Sequence, residues 1–131
     1  MRIASLAALV LATTACATAP PPFTVSAFGG DATLRCAVTE LTAVVYDVDV
    51  TDTLVQASRT QQVAPAEANR DIVDLSLVGG DEPIVRASVT RWKYSPSLHN
   101  LPVDRQQVQP VSVDEETSTQ VNRIMRGCES P

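Results

Sequence analysis

The feature that most constrains this chain is an alternation of apolar and polar residues on both sides of one turn. Asp71-Ile72-Val73-Asp74-Leu75-Ser76-Leu77-Val78 reads as a strand with one apolar and one mixed face. Gly79-Gly80-Asp81-Glu82-Pro83 follows, rich in residues that tolerate a reversed backbone. Ile84–Tyr94 then returns as a second strand, with Val85, Ala87 and Val89 on one face and Ile84, Trp92 and Tyr94 on the other. Such a hairpin needs cover on its apolar face only, as antiparallel sheets do. Aromatic residues are 4% of the chain, so that cover must come mainly from Val, Leu, Ile and Ala.

Helical periods flank this region. Asp31 is a candidate N-cap, and Leu34, Val38, Leu41 and Val45 recur at the spacing of one helix face, with Cys36 roughly opposite. Period two resumes at Tyr46-Asp47-Val48-Asp49-Val50, turns at Thr51-Asp52-Thr53 and returns along Leu54–Gln61. Residues 64–70 read as a polar loop with room for a short helical turn. Residues 95–111 hold Pro96, Pro102 and Pro110 and read as irregular. Ser112 and Glu115 match a capping box, and Val121, Ile124, Met125 and Cys128 form the stripe of a closing helix, with Gly127 at its C-terminus. A short strand at Phe23–Ala27 completes the order. The expectation is an α+β domain in the order helix, hairpin, hairpin, helix, with a four- or five-stranded antiparallel sheet and both helices on one face.

At 131 residues the chain holds one such domain, large enough to bury about two-thirds of its unfolded surface without metal. The net charge is −5, and Arg35, Arg59, Arg70, Arg86, Arg91 and Arg105 are scattered singly among acids. Nucleic-acid binding needs clustered cations, so it is disfavoured, and so is a polybasic membrane patch.

The first residues have another character. Arg2 precedes the uncharged run Ile3–Ala12, too short to span a bilayer but of the length of a signal-peptide core. Small residues, Thr13-Thr14-Ala15, then precede Cys16. This segment resembles the signal peptide and lipobox of bacterial lipoproteins. In that family the cysteine is diacylated, carries fatty acids such as palmitate, and becomes the mature N-terminus. Thr13 stands where leucine is usual, and ordinary cleavage after Ala15 is the alternative reading. The resemblance implies a signal peptide over 1–15, a lipidated Pro-rich tether over 16–23 and a single domain over 24–131. Ala17 after the cysteine matches the class sorted to the outer membrane, facing the periplasm. Membrane contact is then expected through lipid at Cys16.

Acylation of Cys16 leaves Cys36 and Cys128. In an oxidising compartment an even pair reads as a disulfide, here closing a loop of about 90 residues and contributing up to roughly 4–5 kcal/mol in the chain-entropy model. No spacing supports a zinc site, so no metal or cofactor is expected. A bond between the two predicted helices agrees with their packing on one face.

The element order and the run Leu34…Leu41…Tyr46-Asp47-Val48…Asp52…Val55-Gln56-Ala57 resemble the helix-grip domains of envelope lipoproteins. This likeness implies architecture and carries no function.

Few residues suggest chemistry. Asp47, Asp49 and Asp52 look like a calcium loop, but an EF-hand counted from Asp47 would need glycine at position 52 and glutamate at position 58, where Asp52 and Ser58 stand. Alternation explains them as the solvated face of a strand. His99 is the sole histidine and has no nucleophile motif beside it. No catalytic residue is assigned. Trp92 and Tyr94, with Arg91 and Lys93 between and beside them, are the candidate binding face for an envelope protein or cell-wall partner. The expectation is a non-enzymatic, lipid-anchored accessory or binding protein of the cell envelope. A hydrophobic-ligand carrier with a cavity between helices and sheet, and a small hydrolase using His99, are the alternatives.

Overall fold

The computed structural model describes residues 19–51, 54–65, 67–95 and 107–130. Residues 1–15, read above as a signal peptide, and Cys16, Asp52 and His99 lie outside the described residues.

The central hairpin is longer than its sequence pattern suggests. Its strands are β4 (Glu67–Val78) and β5 (Ile84–Ser95), in register from Ala68 opposite Tyr94 to Val78 opposite Ile84. Val73, Leu75, Val85, Ala87 and Val89 are buried on one face, as the alternation requires. β3 (Val55–Ala64) pairs with β4 and β2 (Asp47–Val50) pairs with β3, giving a four-strand meander. Of the polar stretch read as a loop over 64–70, Ala64 and Glu67–Arg70 are therefore strand, with Ala64 facing Glu67. Pairing along both strands overrides the weak local propensity of Glu67–Arg70.

Two short strands share the outer edge of β5, end to end. β1 (Phe23–Phe28) runs from Phe23 opposite Val89 to Phe28 opposite Ile84. β6 (Gln107–Val111) covers the remainder, with Pro110 opposite Trp92. The antiparallel sheet thus has six strands, and the expectation that all of 95–111 is irregular fails over Gln107–Val111. An edge strand tolerates proline because a missing N–H that faces outward breaks no ladder.

Both helices cover the apolar face. α1 (Asp31–Ala43) and α2 (Glu115–Cys128) pack on each other and on the sheet. The stripe of α2 is the one expected, Val121, Ile124, Met125 and Cys128 all being buried. The line that α1 buries is Thr33, Ala37 and Leu41, with Leu34 and Val38 half-buried, so it is turned from the expected Leu34–Val45 face. The Cys36–Cys128 bond, with 5.5 Å between Cα atoms, draws that side of α1 towards α2.

The helix ends also differ from the sequence pattern. α2 is capped by Asp114, whose carboxylate accepts from the Thr117 amide at 3.0 Å; Ser112 is not the cap. Gly127 remains helical, and the chain leaves at Glu129 in extended conformation. α1 ends in a Schellman turn: Tyr46 N–H donates to Leu41 O and Val45 N–H to Thr42 O. The left-handed residue of that turn is Val45, at φ 71° and 79% exposed, where glycine is the usual occupant.

The last turn of α2 and the residues after it seal β1. Arg126 donates to Ser26 O at 2.6 Å and Ser130 N–H donates to Phe28 O at 2.9 Å. This covers one free edge of the sheet. It also forces a tight turn at Gly29, φ 136°, where a Cβ would collide with the Thr33 side chain.

Candidate functional site

Trp92 and Tyr94 are half-buried on the sheet face away from the helices, on the same side of β5 as Ile84 and Thr90. Their cross-strand neighbours are Arg70 and Ala68 on β4 and Pro110 and Val108 on β6. Ser26, Ser58, Thr60, Asp74, Ser76 and Ser88 stand in register around them on this face, with Ile72 between Ser58 and Thr90 and with Phe28, Val78 and Ile84 at its far end. A cleft of about 70 Å³ beside Trp92 is lined by Pro20, Pro21, Pro22 and Pro110, so the Pro-rich segment joins the domain at the level of this tryptophan.

Arg91 and Lys93 do not belong to that face. The alternation that turns Val85, Ala87 and Val89 towards the helices continues through them. Arg91 is 7% exposed and forms a two-pronged ion pair with Asp71, at 2.6 Å and 2.9 Å. Its Nη2 also donates to the Thr117 hydroxyl at 3.0 Å and lies 3.2 Å from Asp114 Oδ1. Lys93 pairs with Glu67 at 2.5 Å on the same side. The cation set beside Trp92 on the open face is Arg70, which donates weakly to Ser58 Oγ at 3.4 Å. Sequence neighbours on a strand point to opposite sides, and the cation comes from the next strand.

A row of charges therefore crosses the covered face. Arg59 on β3, Asp71 on β4 and Arg91 on β5 stand in register. Arg59 Nη2 lies 4.0 Å from Asp71 Oδ2, while Nη1 donates to Val44 O and the guanidinium sits 4.4 Å from the Tyr46 ring centre. The hydrogen bond to Asp71 raises the Arg91 pKa above its ordinary value, against the opposing effect of burial. Burial would raise Asp114, but hydrogen bonds from Thr117 and the Arg91 charge hold it below the usual carboxylate range. Burial pushes the Tyr46 hydroxyl upward. Tyr46 Oη and Arg59 Nε are buried and have no hydrogen-bond partner among the described residues. This row joins α2 to the sheet by charge, and nothing in it presents a nucleophile to solvent. Matching the parity of Arg59, Asp71 and Arg91 with their apolar strand-mates was the available signal for it.

Asp47 and Asp49 lie exposed on β2, and no group of three or more metal-ligating side chains occurs among the described residues. Leu41, Leu75, Val85, Val89, Val121 and Met125 fill the space between helices and sheet, each at most 1% exposed. No helix among the described residues is long and apolar enough to cross a membrane. No protein-family model and no curated protein matches the chain.

Proposed function

We propose that this chain is an exported, lipid-anchored protein of the cell envelope that acts by binding rather than by catalysis. Cys36 and Cys128 are joined, which leaves Cys16 as the odd cysteine, placed directly after an apolar leader. That observation carries the reading. A disulfide between distant helices suits an oxidising compartment, and a leader ending in small residues before cysteine suits lipoprotein maturation. The binding surface in this reading is the open sheet face around Trp92, Tyr94 and Arg70, and its partner is an envelope protein or the cell wall. The close packing of Leu41, Leu75, Val85 and Met125 between helices and sheet supports binding at a surface over carriage in a cavity.

Mass spectrometry of protein from the membrane fraction tests the anchor, with Cys16→Ser beside it. The expected result is a diacylated N-terminal Cys16 and loss of membrane association in the variant. A soluble native protein without acyl mass would overturn the reading. Crosslinking in intact cells, with Trp92→Ala as control, tests the face; a partner list unaffected by the substitution removes it.

A further inference from the structure

The Pro-rich segment meets the domain at one pole of the sheet, and the β3–β4 hairpin projects from that same pole. We propose that the tip of this hairpin, Val63–Pro65, rests on the lipid surface and sets the orientation of the domain. This rests on the lipid-anchor reading above.

The argument is one of reach. Pro20 and Trp92 line the same cleft, so the tether is rooted at the level of Trp92. Trp92 faces Arg70, and β4 runs from Arg70 back towards the turn at Pro65. The strand ends at Glu67, three residues and about 10 Å from Arg70 at strand rise, and the turn lies beyond it. Ala19 also lines the cleft, three residues after Cys16, which is about 9 Å as a polyproline segment and about 11 Å at full extension. The lipid-bearing residue therefore cannot lie farther from the tether root than the hairpin tip does. A tether this short cannot lift that pole clear of the bilayer.

The chemistry of the tip fits the contact. Thr60–Ala66 carries no charge. The register shift between Gln62 and Ala64 leaves Val63 unpaired, and it is 54% exposed at a tip that any polar residue could occupy. Behind it, Arg59 and Arg91 are held in the buried row with Asp71 and Asp114, Lys93 pairs with Glu67, and Arg70 is an exposed cation. The turn at the opposite pole holds Asp81 and Glu82. Phe28 and Val78 are also exposed, but they lie at the acidic pole, at the far end of β1 from the tether.

Trp92 is the sole tryptophan, which makes the test direct. In a Trp92→Phe background, Val63→Trp and Asp81→Trp each place one fluorophore at an exposed position on opposite poles. Protein expressed from the full chain is purified from membranes and reconstituted in phosphatidylethanolamine–phosphatidylglycerol vesicles carrying brominated acyl chains. Emission from Val63→Trp should fall by about half and shift to the blue, as for an interfacial tryptophan, while Asp81→Trp should be unaffected. Unquenched Val63→Trp, or equal quenching at both poles, in a sample whose mass shows the acyl chains overturns the orientation alone. A sample without acyl mass overturns the anchor, and the orientation falls with it.

Discussion

Replacing Asp71 by asparagine tests whether the charged row is a stability element. Asp71 is 1% exposed and is the one acid standing in register between Arg59 and Arg91. Removing its charge leaves Arg91 buried with only Asp114 and the Thr117 hydroxyl. Breaking a buried pair from one side costs about 3–5 kcal/mol because the remaining charge stays desolvated. Asp114 compensates in part, so the lower end, about 3 kcal/mol, is expected for Asp71→Asn. For a domain of this size that is a fall in Tm of about 12–20 °C. Urea unfolding should show a lower midpoint at an unchanged slope, the mark of lost stability without a changed denatured state. The double replacement Asp71→Leu with Arg91→Met removes the two-pronged pair and should lose less than Asp71→Asn alone, Arg59 keeping its bond to Val44 O and Asp114 being half exposed. A loss below about 1 kcal/mol for Asp71→Asn alone would refute the account.

Three further outcomes are expected. Val45→Gly should stabilise the domain by about 0.5–1 kcal/mol in thermal or urea unfolding, since it relieves a left-handed β-branched residue whose exposed side chain contributes little, and glycine's extra unfolded entropy offsets part of the gain. Reducing Cys36–Cys128, or replacing both by serine, should lower stability by about 2–4 kcal/mol in the same assay. Asp114→Asn keeps the helix cap but loses the charge facing Arg91. The native pKa of Asp114 is depressed, so its contribution is present above the ordinary carboxylate pKa and is lost as pH falls through the native value. The variant should therefore be less stable than the parent by under about 1 kcal/mol at neutral pH, and the gap should close as pH falls through the depressed native pKa of Asp114 when the two are unfolded side by side.

Local pattern was enough for the central hairpin and for α2, though not for α1, whose buried line is turned from its apolar stripe. Alternation placed Val85, Ala87 and Val89 inward and Trp92 and Tyr94 outward, and the stripe Val121–Cys128 set the buried face of α2. Cysteine parity joined Cys36 to Cys128 before any contact between their helices was known. These are periodic or countable properties, and tertiary context had no competing arrangement to offer. What depends on a neighbour in space was decided by the fold. Gln107–Val111 becomes strand despite Pro110 because β5 has a free edge to fill, and Glu67–Arg70 becomes strand because Gln61–Ala64 and Lys93–Tyr94 pair with it. Arg91 buries its charge because Asp71 stands opposite it, and Asp114 takes the cap because Arg91 and Thr117 hold its carboxylate. Burying charge is favourable only with a partner at bonding distance, and no one-dimensional pattern records which residues of distant strands will meet.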